Sequence, residues 1–383
     1  MFVIKGTAMK NAPNNPFLLL GYHSRKYFCN RNDEINWLED NLQNGRNSVL
    51  YSLRRLGKTA VIQCVLKELE RSGKAEVIFV DLLATQTAED AILQIARAVV
   101  QRYGKATSGA GPAFMKMLGK VGFDISIDPM TGLPSLSMGL RQGPSPAHSL
   151  ESLGTFLKAR KKPVVIAMDE FQQVCTFKKE NAEAIFRTWA QQFPEIRFIF
   201  SGSHRQMMMS MFAEKNRPFY RSAQLKELQP IALDEYRPFI SKHFKAAKKN
   251  IDRDVVDEIY RWSRGQTYCV QLLCNRLYGS FAHADLQALN RVKQEVLQQE
   301  NNVFINYFNL FTTTQWNVLR AIAKEEPLVN PLSKEVLMRH QLGAASTVAS
   351  ALKQLQHKEF VVQLGDEYLV HDVVFARWLR HRD

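Results

Sequence analysis

Residues 48–73 read SVLYSLRRLGKTAVIQCVLKELERSG: an apolar run, a short loop ending in Gly57, Lys58 and Thr59, and an amphipathic helix closed by Gly73. A fully apolar strand that turns straight into a helix suits a parallel sheet whose two faces are covered by helices, the pattern of an α/β fold. Three further apolar runs, AEVIFVDLL, KKPVVIAMDE and EIRFIFSGS, alternate with helical patterns such as TAEDAILQIARAVVQRYG. The alternation predicts a parallel sheet with helices on both faces.

A chain of 383 residues is longer than one core usually serves, and its pattern changes three times. Residues 1–20 form an Asn-rich, loose leader, and 21–233 the α/β domain, interrupted at about 104–149 by a stretch rich in Gly, Pro and Ser that reads as an insertion or exposed hairpin. Residues 234–311 are helical throughout, the pattern of a lid domain. Residues 312–383 give three helices and a hairpin around Gly365 and Asp366, the order of a winged helix-turn-helix.

Composition excludes some classes. No apolar run approaches the roughly 20 residues of a membrane span, and the first residues lack the apolar stretch of a signal peptide. Five cysteines without a CxxC pair suit reduced thiols, so a cytoplasmic location and no membrane partner are expected. The net charge is +14, concentrated where residues 151–250 hold 18 basic against 10 acidic side chains. Such a field favours polyanions without choosing among nucleotides, nucleic acid and acidic proteins.

The loop carries the most specific chemistry. Gly57, Lys58 and Thr59 fill the last three places of GxxxxGK[ST], in which backbone N–H groups cradle a phosphate, a lysine reaches the β and γ oxygens and a hydroxyl meets Mg²⁺. Ser52 stands where that pattern has its first glycine, which is tolerable if the position does not need positive φ; Ser52 and residues 54–60, Arg54, Arg55, Leu56, Gly57, Lys58, Thr59 and Ala60, are the expected cradle. About 110 residues downstream VVIAMDE ends in Asp169, suited to hold Mg²⁺ through water, and Glu170, suited to activate the attacking water. Ser201 and Ser203 in FIFSGS are placed either to sense the γ-phosphate or to cap their strand. Arg217 and Arg221 in NRPFYRS are candidates for an arginine finger or phosphate sensor, with a surface ion pair as the alternative.

Together, YSLRRLGKT, VVIAMDEFQQV, FIFSGSHRQMM, NRPFYRS, RGQTYCVQLLCNRL and the terminal winged helix resemble the archaeal-type ATPase family of P-loop proteins, related to the AAA+ and STAND groups. The similarity runs from about Asn15 to the C-terminus, with Arg54 and Arg55 matching a double arginine of the family. Phe28, Arg31 and Glu34 match an element that the resemblance places beside the adenine. Ser52 for the loop glycine, and Thr267 where many relatives have proline, depart from the pattern. The resemblance implies ATP and Mg²⁺ as cofactors, slow ATP hydrolysis and nucleotide-dependent switching.

Two other functions stay open. One is nucleotide-gated DNA binding, through Ser346, Thr347, Ser350 and Lys353 of the winged helix or through a basic ATPase face containing Lys158, Arg160, Lys161, Lys162, Lys242, Lys245, Lys248 and Lys249. Against the first route, residues 312–383 hold only 9 basic to 8 acidic side chains, and phosphate contacts normally supply much of the affinity for DNA. The other is a non-hydrolysing ATP-binding scaffold. A protein partner and a nucleotide-dependent homo-oligomer are compatible with all three.

Overall fold

Every residue of SVLY and VVIAMD is buried, as strands covered on both faces require. The computed structural model describes residues 12–103, 123–127, 134–138, 145–177 and 181–381, with 123–127 and 134–138 given as backbone. Its first unit, Gly21–Gln229, contains β1 (Ser48–Tyr51), β2 (Glu76–Asp81), β3 (Phe123–Ile127), β4 (Pro134–Met138), β5 (Val164–Asp169), β6 (Ile196–Gly202) and β7 (Gln224–Glu227). Five of these form one sheet in the order β2-β5-β6-β1-β7, with each neighbouring pair parallel. β3 and β4 pair antiparallel within the expected insertion, most of which lies outside the described residues.

Among the described residues the α-helices of this unit are α1 (Asn32–Gln43), α2 (Lys58–Arg71), α3 (Ala88–Tyr103), α4 (Pro146–Lys158), α5 (Ala182–Gln192) and α6 (Arg205–Ala213). Side chains alternate across the sheet with the period of two that strands impose. Val165, Ala167 and Ile199 meet Leu38 of α1 and Val61, Ile62 and Val65 of α2 on one face. Ile166, Met168, Phe198 and Phe200 meet Ile95 of α3, Leu153 of α4 and Phe186 of α5 on the other. The register sets Tyr51 opposite Gly202 and Asp81 opposite Asp169, so the C-terminal strand ends form one edge. Sequence patterning does not disclose β7, whose QLKE lacks apolar alternation because it is an edge strand paired only to β1.

The second unit takes the rest of the chain, Pro230–Asp383 with the residues before Gly21. Its lid holds α7 (Leu233–Ala246), α8 (Arg253–Ser263), α9 (Thr267–Ser280) and α10 (Leu286–Asn306), with the short strands β8 (Asn250–Ile251) and β9 (His283–Ala284). Its winged helix comprises α11 (Thr313–Glu325), β10 (Leu328–Val329), α12 (Lys334–Arg339), α13 (Ala345–His357), β11 (Val361–Leu364), β12 (Glu367–Val370) and α14 (Val373–Arg380). Thr312 and Gln315 close α11 with a reciprocal capping box. None of the described helices is long and apolar enough to cross a membrane.

Lid and winged helix share a buried ionic knot. Glu326 receives Arg377, Arg264 at 3.3 Å and Arg380 at 3.2 Å, while Arg377 also donates to the Trp262 carbonyl and Arg264 to the Val370 carbonyl. Asp252–His283 and Arg237–Asp257 pairs secure the lid itself.

The leader departs from the expectation of looseness where Phe17, 1% exposed, packs among Phe239, His243, Phe244 and Tyr278. Asn15 donates to the Asn275 carbonyl and Asn275 to the Phe17 carbonyl, a reciprocal clasp that fixes this segment on the lid. Phe17→Ala should therefore destabilise the second unit by about 3 kcal/mol or more. Urea denaturation of the full chain, followed by tryptophan fluorescence, should show an earlier transition for that unit.

Candidate nucleotide site

The β1–α2 loop, residues 52–57, opens at the C-terminal sheet edge. Within it positive φ falls on Arg55, at 67°, and Gly57, at 94°, and not on Ser52. The missing glycine is thus no backbone obstacle, because the left-handed positions lie further along. Helix α2 starts at Lys58 with Gly57 as its cap and no side-chain capping bond, the geometry in which a helix N-terminus receives an anion.

Ser52 is fully buried and Lys58 is 5% exposed. Lys58 Nζ donates to Ser52 Oγ at 3.1 Å and to the Leu53 carbonyl at 3.4 Å, and Ser52 Oγ itself donates to that carbonyl at 2.6 Å. The serine hydroxyl therefore occupies the lysine's reach. Arg54 and Arg55 are exposed at the loop's tip, and Leu56 is buried beneath it. Ala60 lies in the first turn of α2.

Thr59 and both carboxylates converge across the edge. Thr59 Oγ1 donates to Asp169 Oδ2 at 2.5 Å, while Ser201 Oγ and the Glu170 backbone N–H donate to Oδ1. Glu170 turns into the left-handed region at φ 52°, leaving the strand so that its side chain meets Ser203 Oγ at 2.7 Å and Gln172 Nε2. Such a backbone conformation is costly for a non-glycine residue and persists where packing enforces it. Here the enforcer is Phe171, fully buried among Phe186, Phe200, Phe212 and Phe219.

Sequence reasoning missed Gln172 and the reason for Gly202. A Cβ on Gly202 would lie 2.4 Å from Gln172 Oε1 and 2.5 Å from Met208 Sδ, so a larger residue between the two serines would displace the Gln172 and Met208 side chains. It missed Asp81 as well. Asp81 keeps solvent exposure, yet partial desolvation at the strand end raises its carboxyl above its ordinary range, against a backbone bond from Leu83, and the charges of Asp169 and Glu170 push it further up.

The arginines take three separate places. The Arg217 guanidinium pairs with Glu183 at 2.6 Å and donates to Cys175 Sγ. Arg221 is exposed with its guanidinium over the Tyr220 ring. Arg31 is buried beneath the loop, donating to the Leu56 carbonyl at 3.0 Å, the Gln229 carbonyl at 2.6 Å and Glu34 at 3.0 Å. It works as a brace for the loop from below. Phe28 packs edge-on against Tyr22, with ring centroids 5.4 Å apart. Thr267 accepts the Tyr236 hydroxyl at 3.3 Å.

Arg31→Ala would leave the partly buried Glu34 carboxylate and two carbonyls without this donor, a loss of about 3 kcal/mol from the first unit. Thermal denaturation should register the drop, and hydrogen exchange at residues 56–59 should quicken if Arg31 braces the loop.

The family described as an ATPase domain predominantly from Archaea matches residues 28–273, and a probable winged helix domain matches residues 302–381. No curated protein matches the sequence. Among solved structures, a Walker-type ATPase of Pyrococcus abyssi is 17% identical, covering 95% of this chain and 99% of that one with a TM-score of 0.67. The Aeropyrum pernix ORC2 protein, in ADPNP-ADP complexes, is 12% identical over 91% of this chain and 92% of its own, TM-score 0.56. The Aeropyrum pernix ORC1 protein, in complex with DNA, is 16% identical over 96% of both chains, TM-score 0.52. These likenesses establish a shared P-loop fold with a C-terminal winged helix. With more than half of its length matched by the family, and with the loop, the paired carboxylates and the sheet order in place, the chain belongs to the archaeal-type P-loop ATPases.

Proposed function

We propose that this protein binds ATP with Mg²⁺ in the cytoplasm, hydrolyses it slowly and uses the nucleotide state as a switch. The observation that carries the reading is the convergence of Thr59, Asp169 and Ser201 beside a Glu170 held by Ser203 and Gln172. Thr59 and Asp169 set two hard oxygen donors side by side, which suits a dication. Thr59 would hold Mg²⁺ directly and Asp169 through water; when bound, the ion supplies charge neutralisation to the phosphates.

Lys58 exchanges Ser52 for the β and γ oxygens, and the first turn of α2 receives the phosphate. Ser203 and Gln172 both bond Glu170 Oε2, which leaves Oε1 to take the proton of the attacking water. Ser201, bonded to Asp169, acts by orienting that carboxylate. The Glu326 knot supports a switch in which lid and winged helix respond as one body. An arginine from a second copy, with Arg221 exposed for the purpose, would complete the charge around the γ-phosphate.

Lys58→Ala should abolish measurable ATP binding, and Glu170→Gln should keep binding while lowering the single-turnover rate by about a hundredfold. Equal turnover in the wild type and both variants would refute the assignment. Nucleotide retained intact by the wild type through purification would instead favour the scaffold reading.

One observation favours DNA as a second ligand: Ser346, Thr347, Ser350 and Lys353 are all exposed along α13. The surroundings limit it, since the wing carries exposed Asp366 and Glu367, and Arg339 of α12 is paired with Glu325 and Glu335. The basic ATPase face is divided, because Lys242, Lys245, Lys248 and Lys249 belong to the second unit and Lys158 of the first is paired with Glu195. Anisotropy titration with duplex DNA at about 50 mM salt, with and without ATP, should give binding that Lys353→Glu weakens and that falls steeply with added salt. Absence of binding in both nucleotide states excludes this reading.

A further inference from the structure

We propose that Ser52 is a competitor for nucleotide built into the loop: its hydroxyl engages Lys58 as a phosphate oxygen would, and so speeds the departure of ADP. The inference rests on the ATP reading above and adds a means of regulating that same site. It concerns a residue by which this chain departs from the GxxxxGK[ST] pattern.

The donors of Lys58 can be counted. An ammonium carries three N–H groups. One reaches Ser52 Oγ at 3.1 Å and another the Leu53 carbonyl at 3.4 Å. The β and γ oxygens of ATP call for two, so at least one of these bonds has to be given up on binding. Lys58 is 5% exposed, and water is therefore a poor substitute for the acceptor it loses or gains.

Ser52 is held in the accepting role. Its own O–H donates to the Leu53 carbonyl at 2.6 Å, so lone pairs and no proton face the ammonium. The backbone keeps it in place: Tyr51 stands opposite Gly202 at the end of β1, and the Ser52 N–H donates to the Gly202 carbonyl at 3.4 Å. With its proton committed to Leu53, this hydroxyl has nothing to donate to a phosphate oxygen. A glycine at the same place would leave Lys58 the more distant Leu53 carbonyl and no hydroxyl. The Ser52–Lys58 bond thus stabilises the nucleotide-free chain and not the complex, which lowers the affinity for ATP and ADP alike. A bond to a buried charge is worth roughly tenfold or more in binding, and differences of this kind lie mostly in the dissociation rate.

The test compares full-length wild type, Ser52→Ala and Ser52→Gly, each also in a chain carrying Lys58→Met. Calorimetric titration with Mg²⁺ and ADP should show about tenfold tighter binding by Ser52→Ala, and a fluorescent ADP analogue chased with unlabelled ADP should leave it about tenfold more slowly. Without nucleotide, Ser52→Ala should lower the melting temperature by about 3 °C, and by distinctly less where Lys58→Met has removed the ammonium. A serine that only supports the loop would lose stability and affinity together. Unchanged or weaker ADP binding by Ser52→Ala, or an equal fall in melting temperature in both backgrounds, overturns the proposal. Failure of wild type and Ser52→Ala alike to bind ADP or ATP refutes the ATP reading and the proposal with it, a result distinct from binding that the substitution leaves unaltered. Ser52→Gly carries the comparison if Ser52→Ala does not fold.

Discussion

The candidate site depends first on parallel hydrogen bonding between β1, β6 and β5. That register brings the end of β1 beside Gly202 and the end of β5 beside β2, so a loop, two serines and three carboxylates from four strands share one edge. A shift of one residue in any of these pairings would turn Asp169 or Ser201 into the helical layer. The aromatic packing under β6, with Phe198 and Phe200 buried against α5 and α6, is what makes such a shift costly.

Much of this was legible in the sequence because it is local. Apolar runs name the central strands, and Gly57, Lys58 and Thr59 name the loop by spacing alone. Contacts between distant segments were not legible. Nothing around Arg31 announces that its guanidinium ends on the Leu56 and Gln229 carbonyls, and nothing around Arg217 announces Glu183. β7 and the burial of Phe17 escaped for the same reason: their partners, β1 and the lid, are supplied by the fold.

Ser52 illustrates how a departure from a pattern can be neutral for the backbone and still matter chemically. Its φ is unexceptional, so the loop closes without glycine. Its hydroxyl, however, gives Lys58 a protein partner in a buried setting, with which a nucleotide bound as proposed would compete. Arg55 adds a second peculiarity, a charged residue held in a left-handed conformation that glycine adopts more readily.

The knot around Glu326 has an implication for how salt acts on the protein. Glu326 is 6% exposed and Arg377 9%, so dissolved ions do not penetrate between them, and their attraction keeps its strength where exposed pairs such as Arg339–Glu335 are screened away. The Glu326–Arg377 pair lies within the winged helix, and the knot reaches the lid through buried bonds from Arg377 to the uncharged Trp262 carbonyl, so ionic strength can weaken contacts made by the surface of the winged helix without breaking these bonds to the lid. A salt titration thus acts as a chemical scalpel, dissecting what the second unit touches from how it is built.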